Sequence, residues 1–146
     1  MRHMDAEEII GEVLGRCLGL RTLSAARVIA RRYDAALKPV NLTTTQFTLL
    51  VATAKMKPQS IADLGRLLSI ERSGLSRNLK VMEARNLVER DNDTTTRRKK
   101  IRITRKGIET MKRAYPHWEK MQKSLEKEMM GVSGNAPIIL SKLRRG

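Results

Sequence analysis

The sequence predicts a mainly α fold with one small β-hairpin, and three patterns lead to that expectation. Apolar residues recur at steps of three and four through most of the chain, which is helical spacing. Residues 87–91 and 99–104 are short strand candidates, and in the second Ile101 and Ile103 alternate with polar side chains. A short helix, a tight turn and an amphipathic helix directly precede the first strand candidate. The length of 146 residues indicates one domain.

The first predicted helix covers residues 6–37. Gly11, Gly15 and Gly19 stand at four-residue steps inside it, and each glycine costs roughly 1 kcal/mol relative to alanine in a helix interior. Their spacing indicates either a close approach of another helix or a break near Gly15. Pro39 ends the helix, because the residue before a proline disfavours the helical conformation.

Local end signals predict the remaining helices. Helix starts are expected at a capping box and at two single capping residues: Thr43 with Gln46, Ser60, and Thr104. The third predicted helix covers residues 61–68, and the fourth covers residues 72–85 and ends at a left-handed Asn86. A long helix follows Thr104 and is expected to kink at Pro116.

The fourth helix has two chemically distinct faces. At about 100° per residue, Leu75, Leu79 and Met82 fall together on one side. The opposite side carries hydroxyl, guanidinium and ammonium groups, from Ser73, Ser76, Arg77 and Lys80. Such groups can enter a major groove and contact base edges and phosphates. A solvated surface helix shows the same pattern, so the neighbouring elements decide between the two interpretations.

The neighbouring elements favour a nucleic-acid partner. The third and fourth helices form a helix-turn-helix, and the ribbon after them makes it a winged helix-turn-helix. The chain has a net charge of +15, and residues 55–106 hold 15 basic and 6 acidic residues, hence +9 of that total. The ribbon alone has five bases in six positions: Arg97, Arg98, Lys99, Lys100 and Arg102. We therefore expect double-stranded DNA as the partner, with the ribbon on phosphates or in the minor groove.

Three stretches carry a family resemblance: RRYDAALKPVNLTTTQFTLL, IADLGRLLSIERSGLSRNLKVMEARNLVER and RRKKIRITRKG. They resemble the multiple-antibiotic-resistance regulators, the MarR family, and with the surrounding helices they cover nearly the whole chain. The resemblance implies an obligate homodimer whose first and last helices interlock. It also implies that a reading helix enters the major groove and a wing enters the minor groove. A ligand or redox signal is expected to shift the spacing between the two reading helices of the dimer.

The resemblance also assigns individual residues. The reading helix corresponds to Ser73, Ser76, Arg77 and Lys80, and the wing to Arg97, Arg98 and Lys99. Asp93 with Arg97 best matches the Asp–Arg pair that members usually carry across the wing, so Asp93 is expected to support the wing. Gly74 occupies a reading-helix position where threonine or serine is common.

Dimerisation gives the rest of the chain a role. We expect residues 1–146 to form a single MarR-type domain, with 43–106 as the DNA-binding core and 5–38 and 107–146 as dimerisation helices. The first helix and the C-terminal region carry more apolar surface than a monomer could cover. The expected interface residues are Ile9, Ile10, Val13, Leu125, Met129, Ile138, Ile139 and Leu140.

A small aromatic or anionic ligand is one candidate effector. Tyr115 and Trp118 flank Pro116, and a kink there would leave space for a pocket, to which Arg16 and Arg21 would add positive charge. The alternative for both rings is ordinary core packing.

Cys17, the single cysteine, is the other candidate sensor. A free cysteine commonly behaves as a small buried hydrophobe. The functional interpretation is a redox sensor whose thiolate Arg16 and Arg21 stabilise.

The composition argues against other classes of protein. No apolar run approaches the ~20 residues of a membrane span, and the acid-containing N-terminus does not read as a signal peptide. One cysteine and two histidines do not make a metal site, and no phosphate loop or nucleophile–base pair indicates an enzyme or a cofactor. The favoured interpretation is a cytoplasmic transcriptional regulator that acts as a repressor; the alternative is an architectural, nucleoid-type DNA-binding protein without signal input.

Overall fold

A computed structural model describes residues 3–55, 59–91, 100–130 and 141. The chain divides into two compact units, Met1–Arg32 and Tyr33–Gly146. The elements in chain order are α1 (Ala6–Arg16), α2 (Leu18–Leu37), a 3-10 turn (Lys38–Val40), α3 (Thr44–Lys55), β1 (Gln59–Ser60), α4 (Ile61–Leu68), α5 (Arg72–Ala84), β2 (Val88–Asp91), β3 (Lys100–Ile103) and α6 (Arg105–Met130). Among the described residues, no helix combines the length and apolar character needed to cross a membrane.

The first predicted helix is in fact two helices, because the chain breaks at Cys17. The backbone N–H of Cys17 donates to the carbonyl of Val13 and so closes α1. The Sγ atom of Cys17 accepts the N–H of Leu20 at 3.4 Å and so caps the start of α2. The guanidinium of Arg21 donates to the carbonyl of Gly15. The break thus follows the second of the two interpretations that the glycine spacing offered.

The unit Met1–Arg32 has an unusual surface. None of its described residues is buried, although α1 and the start of α2 are rich in aliphatic side chains. The aliphatic side chains that remain exposed are Ile9, Ile10, Val13, Leu14, Leu18, Leu20, Leu23 and Val28. Exposed apolar surface of this kind usually marks an interaction site.

The second unit contains the hydrophobic core. Its fully buried large apolar side chains come from α2, α3, α4, α5, β2 and β3 and from the turn between α5 and β2: Leu37, Leu49, Leu50, Leu64, Leu75, Leu79, Met82, Leu87, Val88 and Ile101. Trp118 and Met111 of α6 pack against this cluster from its edge. Burying each such side chain contributes about 1.5–3 kcal/mol, so the helix-turn-helix rests on a conventional core.

The predicted capping residues of α3 and α4 are confirmed. The N–H of Thr43 donates to Oε1 of Gln46 and the N–H of Gln46 donates to Oγ1 of Thr43, both at 3.2 Å. Asp34 of α2 adds a third bond, since its Oδ1 accepts the N–H of Thr44 at 2.7 Å. At α4, Oγ of Ser60 accepts the N–H of residue 63 at 3.2 Å. These caps fix where each helix begins.

The sheet has three antiparallel strands in the order β1-β3-β2. Strands β2 and β3 confirm the predicted hairpin, and Asp91 pairs with Lys100 at the end next to the connecting segment. The sequence did not predict β1, a two-residue strand in which Gln59 pairs with Ile101. This short strand attaches the start of α4 to the ribbon.

The start of α6 packs tightly on the turn that follows α5. Asn86 has the predicted left-handed backbone, with φ of 57°. Thr104 donates from its N–H to the carbonyl oxygen of Leu87 at 3.1 Å, and its Oγ1 accepts the N–H of Gly107 at 3.0 Å. A Cβ atom on Gly107 would lie 2.1 Å from that same carbonyl oxygen and 2.7 Å from Cγ1 of Ile103. Only glycine fits here.

Helix α6 continues through Pro116 as one helix. The proline lacks an N–H, so one intrahelical bond is missing there without ending the helix. Further along, Oε1 of Gln122 accepts the hydroxyl proton of Tyr33 from α2. Burial, and secondarily the charge of Glu126, raises the pKa of Tyr33, so the phenol stays protonated and able to donate.

Candidate nucleic-acid interface

Helix α5 has the two faces that its sequence predicts. Leu75, Leu79 and Met82 are at most 1% exposed and point into the core. On the other side Ser73, Arg77 and Lys80 are exposed, and Ser76 is half-buried. Core packing therefore fixes the helix, and its polar face is left for a partner.

The polar face of α5 carries free positive charge. Within the described residues, neither Arg77 nor Lys80 forms an ion pair, so their charges are not neutralised inside that part of the chain. Gly74 leaves a gap beside them, since a Cβ atom there would meet only Cγ2 of Ile70, at 3.8 Å. The Nδ2 of Asn78 donates to the Gly74 carbonyl at 2.9 Å. A polyanion approaching α5 would thus meet two cations and an open position.

An open groove of about 890 Å³ lies along α4, the turn that follows it and the first half of α5, and Arg90 of β2 also lines it. Three arginines and three serines contribute to its lining: Ser60, Arg66, Ser69, Arg72, Ser76 and Arg90. Ser76 therefore borders this groove, whereas Arg77 lies on the exposed face. Sequence reasoning did not single out Arg66, Arg72 or Arg90, although all three lie in the charge-rich segment 55–106.

The expected wing is described only at its strands. Asp93, Arg97, Arg98 and Lys99 lie outside the described residues, so their assignment to the wing stays a prediction. On the strands, Nη2 of Arg102 contacts Oδ2 of Asp91 at 3.3 Å. This ion pair joins β3 to β2.

Comparisons with known proteins identify the family. The sequence profile of the MarR family matches residues 40–99. The structure of the M. tuberculosis transcriptional regulator MosR in complex with DNA has 30% sequence identity to this chain and a TM-score of 0.76, and the alignment covers 89% of this chain and 95% of MosR. The chain belongs to the MarR family. The predicted winged helix-turn-helix is thereby confirmed.

More distant MarR-type structures share the fold. The transcriptional repressor CouR, solved with a 23-mer DNA duplex, has 22% identity and a TM-score of 0.75, covering 97% of this chain and 96% of CouR. A cysteine-to-serine mutant of E. coli MarR, solved with operator DNA, has 19% identity and a TM-score of 0.76, covering 97% of both chains. Comparison with curated protein sequences gave no significant match.

The expected dimer-interface residues of this MarR-family chain fall into three groups. Ile9, Ile10 and Val13 are exposed, by 49%, 56% and 49% respectively. Leu125 is already buried within the chain and Met129 is half-buried, so these two offer less surface to a partner. Ile138, Ile139 and Leu140 lie outside the described residues. The exposed group of α1 is the one that most needs a partner.

The expected sensor residues near the N-terminus already have partners. Nη1 of Arg16 contacts Oε2 of Glu12 at 3.0 Å, and Arg21 is bound to the carbonyl of Gly15. Cys17 is half-buried and holds the N–H of Leu20. A thiolate or a carboxylate ligand would compete with these contacts for either guanidinium.

The expected aromatic pocket residues form a ring cluster. The ring centroid of Trp118 lies 5.8 Å from that of Tyr115 and 6.2 Å from that of Phe47. The hydroxyl of Tyr115 donates to Oε1 of Glu119 at 3.2 Å. These rings belong to the second unit and the two arginines to the first, so a single pocket built from all four residues stays a prediction.

Proposed function

We propose that this MarR-family chain is a sequence-specific repressor that binds double-stranded DNA as a homodimer in the cytoplasm and has no catalytic activity. The observation that supports this most directly is the exposed pair of cations, Arg77 and Lys80, on a helix fixed by its buried opposite face. In a helix-turn-helix the second helix enters the major groove. Helix α5 holds that place after α4, and its cations suit base edges and phosphates.

A dimer explains how such a small reading surface selects an operator. Two copies related by a two-fold axis read a pseudo-palindromic site, with the reading helices about one DNA turn apart, ~34–36 Å. Each half-site contributes a few base contacts. Because both half-sites must also lie at the required spacing, a dimer discriminates between DNA sequences more strongly than one subunit does. MosR, whose sequence is 30% identical to this chain, was solved in complex with DNA.

Replacing Arg77 by alanine tests the reading role. We expect Arg77→Ala to weaken operator binding by ~1–3 kcal/mol, concentrated at one base pair, because arginine reads guanine through two hydrogen bonds. Binding constants would be measured by fluorescence anisotropy over a panel of operator variants with single base-pair changes.

Arg105→Ala is the matched control for Arg77→Ala. It removes the same charge from an exposed arginine on α6, whose partner is Glu109 at 3.2 Å, and it should leave the base preference intact. If wild-type protein binds all sequences equally, the regulator proposal fails and an architectural DNA-binding role gains. A uniform loss with Arg77→Ala would instead make Arg77 a phosphate contact.

We propose that release from DNA follows oxidation at Cys17 or binding of a small aromatic or anionic ligand. Peroxide converts a thiolate to sulfenic acid and releases hydroxide. Because Sγ of Cys17 caps the start of α2 through the N–H of Leu20, oxidation changes the junction between α1 and α2. A ligand carboxylate would act there on the guanidiniums of Arg16 and Arg21.

Cys17→Ser separates the two signals. We expect hydrogen peroxide to raise the operator dissociation constant of the wild type and to leave that of Cys17→Ser unchanged, since a serine hydroxyl keeps the cap but resists oxidation. Benzoate-like acids should still act on the variant if they are the signal. Operator affinity unaffected by either agent would remove the sensing proposal and leave the DNA-binding proposal standing.

A further inference from the structure

A partly buried ion pair joins the reading helix to the ribbon. Nε of Arg90, on β2, lies 2.5 Å from Oε1 of Glu83 in the last turns of α5, and the two side chains are only 27% and 28% exposed. By contrast, the side chains of the ion pair between Arg105 and Glu109 are 94% and 61% exposed. Lower exposure reduces the solvent screening of an ion pair, so the Glu83–Arg90 attraction is the less screened of the two.

A second ion pair continues the connection from β2 to β3. Asp91 follows Arg90 directly and contacts Arg102 of β3 at 3.3 Å. The chain between α5 and β2 is short, and it turns through the left-handed Asn86. Two ion pairs in series therefore connect α5 to both strands of the ribbon across a tight corner.

Arg90 also reaches the groove that runs along α4 and the first half of α5. Arg90 lines the groove together with Ser76 of α5. The contact of the Arg90 guanidinium with Glu83 therefore ties β2 to α5 beside this groove.

We infer that Glu83 and Arg90 are positioning residues for DNA binding: their ion pair holds the ribbon at the angle to α5 at which both elements contact one duplex. This inference rests on the proposed DNA-binding function. According to this inference an acidic residue, Glu83, strengthens the binding of a polyanion. It also accounts for Arg90 without placing it on the DNA, since its guanidinium is engaged by Glu83.

The sign of the effect of Glu83→Gln separates this role from simple electrostatics. Removing a negative charge from a DNA-binding surface ordinarily strengthens binding. If the carboxylate of Glu83 orients the ribbon, Glu83→Gln instead weakens operator binding by about tenfold. The slope of log K against log salt also becomes shallower, by about 0.9 for each phosphate that the ribbon no longer neutralises, while the base preference set by α5 is unchanged.

The experiment measures operator affinity by anisotropy across a salt series, for wild type, Glu83→Gln, Arg90→Gln and the double variant. Glu109→Gln is the matched control, because it removes the same charge from an exposed pair within α6 and should leave affinity equal or slightly higher. We expect the double variant to bind no worse than either single variant, because each single substitution already breaks the same ion pair. Circular dichroism confirms that each variant is folded.

Three results would overturn the inference. The first is Glu83→Gln binding as tightly as wild type or more tightly. The second is a loss with Arg90→Gln that greatly exceeds the loss with Glu83→Gln, which would place Arg90 on a phosphate. The third applies if the single variants fold poorly and the charge-exchanged variant, Glu83→Arg with Arg90→Glu, is tested in their place. That variant should bind the operator within about threefold of wild type. A larger loss of operator affinity would reject the positioning role of the ion pair. Wild-type protein without operator binding would instead reject the proposed function itself.

Discussion

Gly107→Ala is expected to lose at least ~4 kcal/mol of unfolding free energy, a size of effect that single substitutions rarely reach. A Cβ atom at this position would lie 2.1 Å from the carbonyl oxygen of Leu87, and both groups belong to the backbone. That oxygen also accepts the N–H of Thr104, so α6 cannot shift away without breaking the bond that starts it. Urea and thermal unfolding, followed by circular dichroism, would measure the loss, on the order of 10 °C or more in Tm.

Gly74→Ala provides the matched control in the same unit. A Cβ atom there meets only Cγ2 of Ile70 at 3.8 Å, an ordinary contact distance. Glycine in a helix interior is less favourable than alanine by roughly 0.5–1 kcal/mol, so this variant should be as stable as wild type or slightly more stable. A Tm for Gly107→Ala close to that of Gly74→Ala would show that the start of α6 is not packed as described.

Sequence reasoning succeeded where the determining contacts are local. The capping box of Thr43 and Gln46 and the cap at Ser60 join residues three apart, so the pattern of residue types contains the whole interaction. The buried face of α5 likewise follows from helical periodicity alone, and Leu75, Leu79 and Met82 lie in the core as expected.

Sequence reasoning failed where the partner lies far along the chain. Strand β1 exists because Gln59 pairs with Ile101, and two residues carry no alternation by which a strand could be recognised. The tight fit at Gly107 depends on Leu87, twenty positions earlier, which no local rule connects to it. The Glu83–Arg90 pair spans a corner whose geometry only the folded chain defines.

The break at Cys17 is an intermediate case. The three glycines of the first predicted helix indicated either a break or a close approach of another helix. The low helix propensity of glycine does not distinguish between the two interpretations. The deciding interactions are the Sγ cap on Leu20 and the bond from Arg21 to the carbonyl of Gly15. A cysteine is not among the usual N-cap residues, so its capping role could not be predicted from residue type.

Ile10→Asp is expected to dissociate the homodimer and to reduce operator affinity by ~10²–10⁴-fold, the size of avidity gains from linked sites. Ile10 is 56% exposed on α1, in a unit where no described residue is buried, so a partner is expected to cover it. A carboxylate at that position would be desolvated without a hydrogen-bond partner, which strongly disfavours association. A monomer retains one reading helix and loses the second half-site. Light scattering should give twice the 16.6 kDa chain mass for wild type and the single-chain mass for the variant.

Val51→Asp controls for the added charge, because it places a carboxylate at a 43% exposed β-branched residue of α3, outside the expected dimerisation helices. We expect it to remain dimeric and to bind the operator with only the modest loss that one extra negative charge causes. A difference between the two variants therefore reflects the position of the replaced apolar side chain and not the added charge. Light scattering at micromolar concentration that shows Ile10→Asp as a dimer, or wild type as a monomer, would contradict an interface on α1. A dimeric Ile10→Asp would move the search for the interface to the other exposed apolar positions, beginning with Leu18 and Leu23 of α2, which are 78% and 57% exposed.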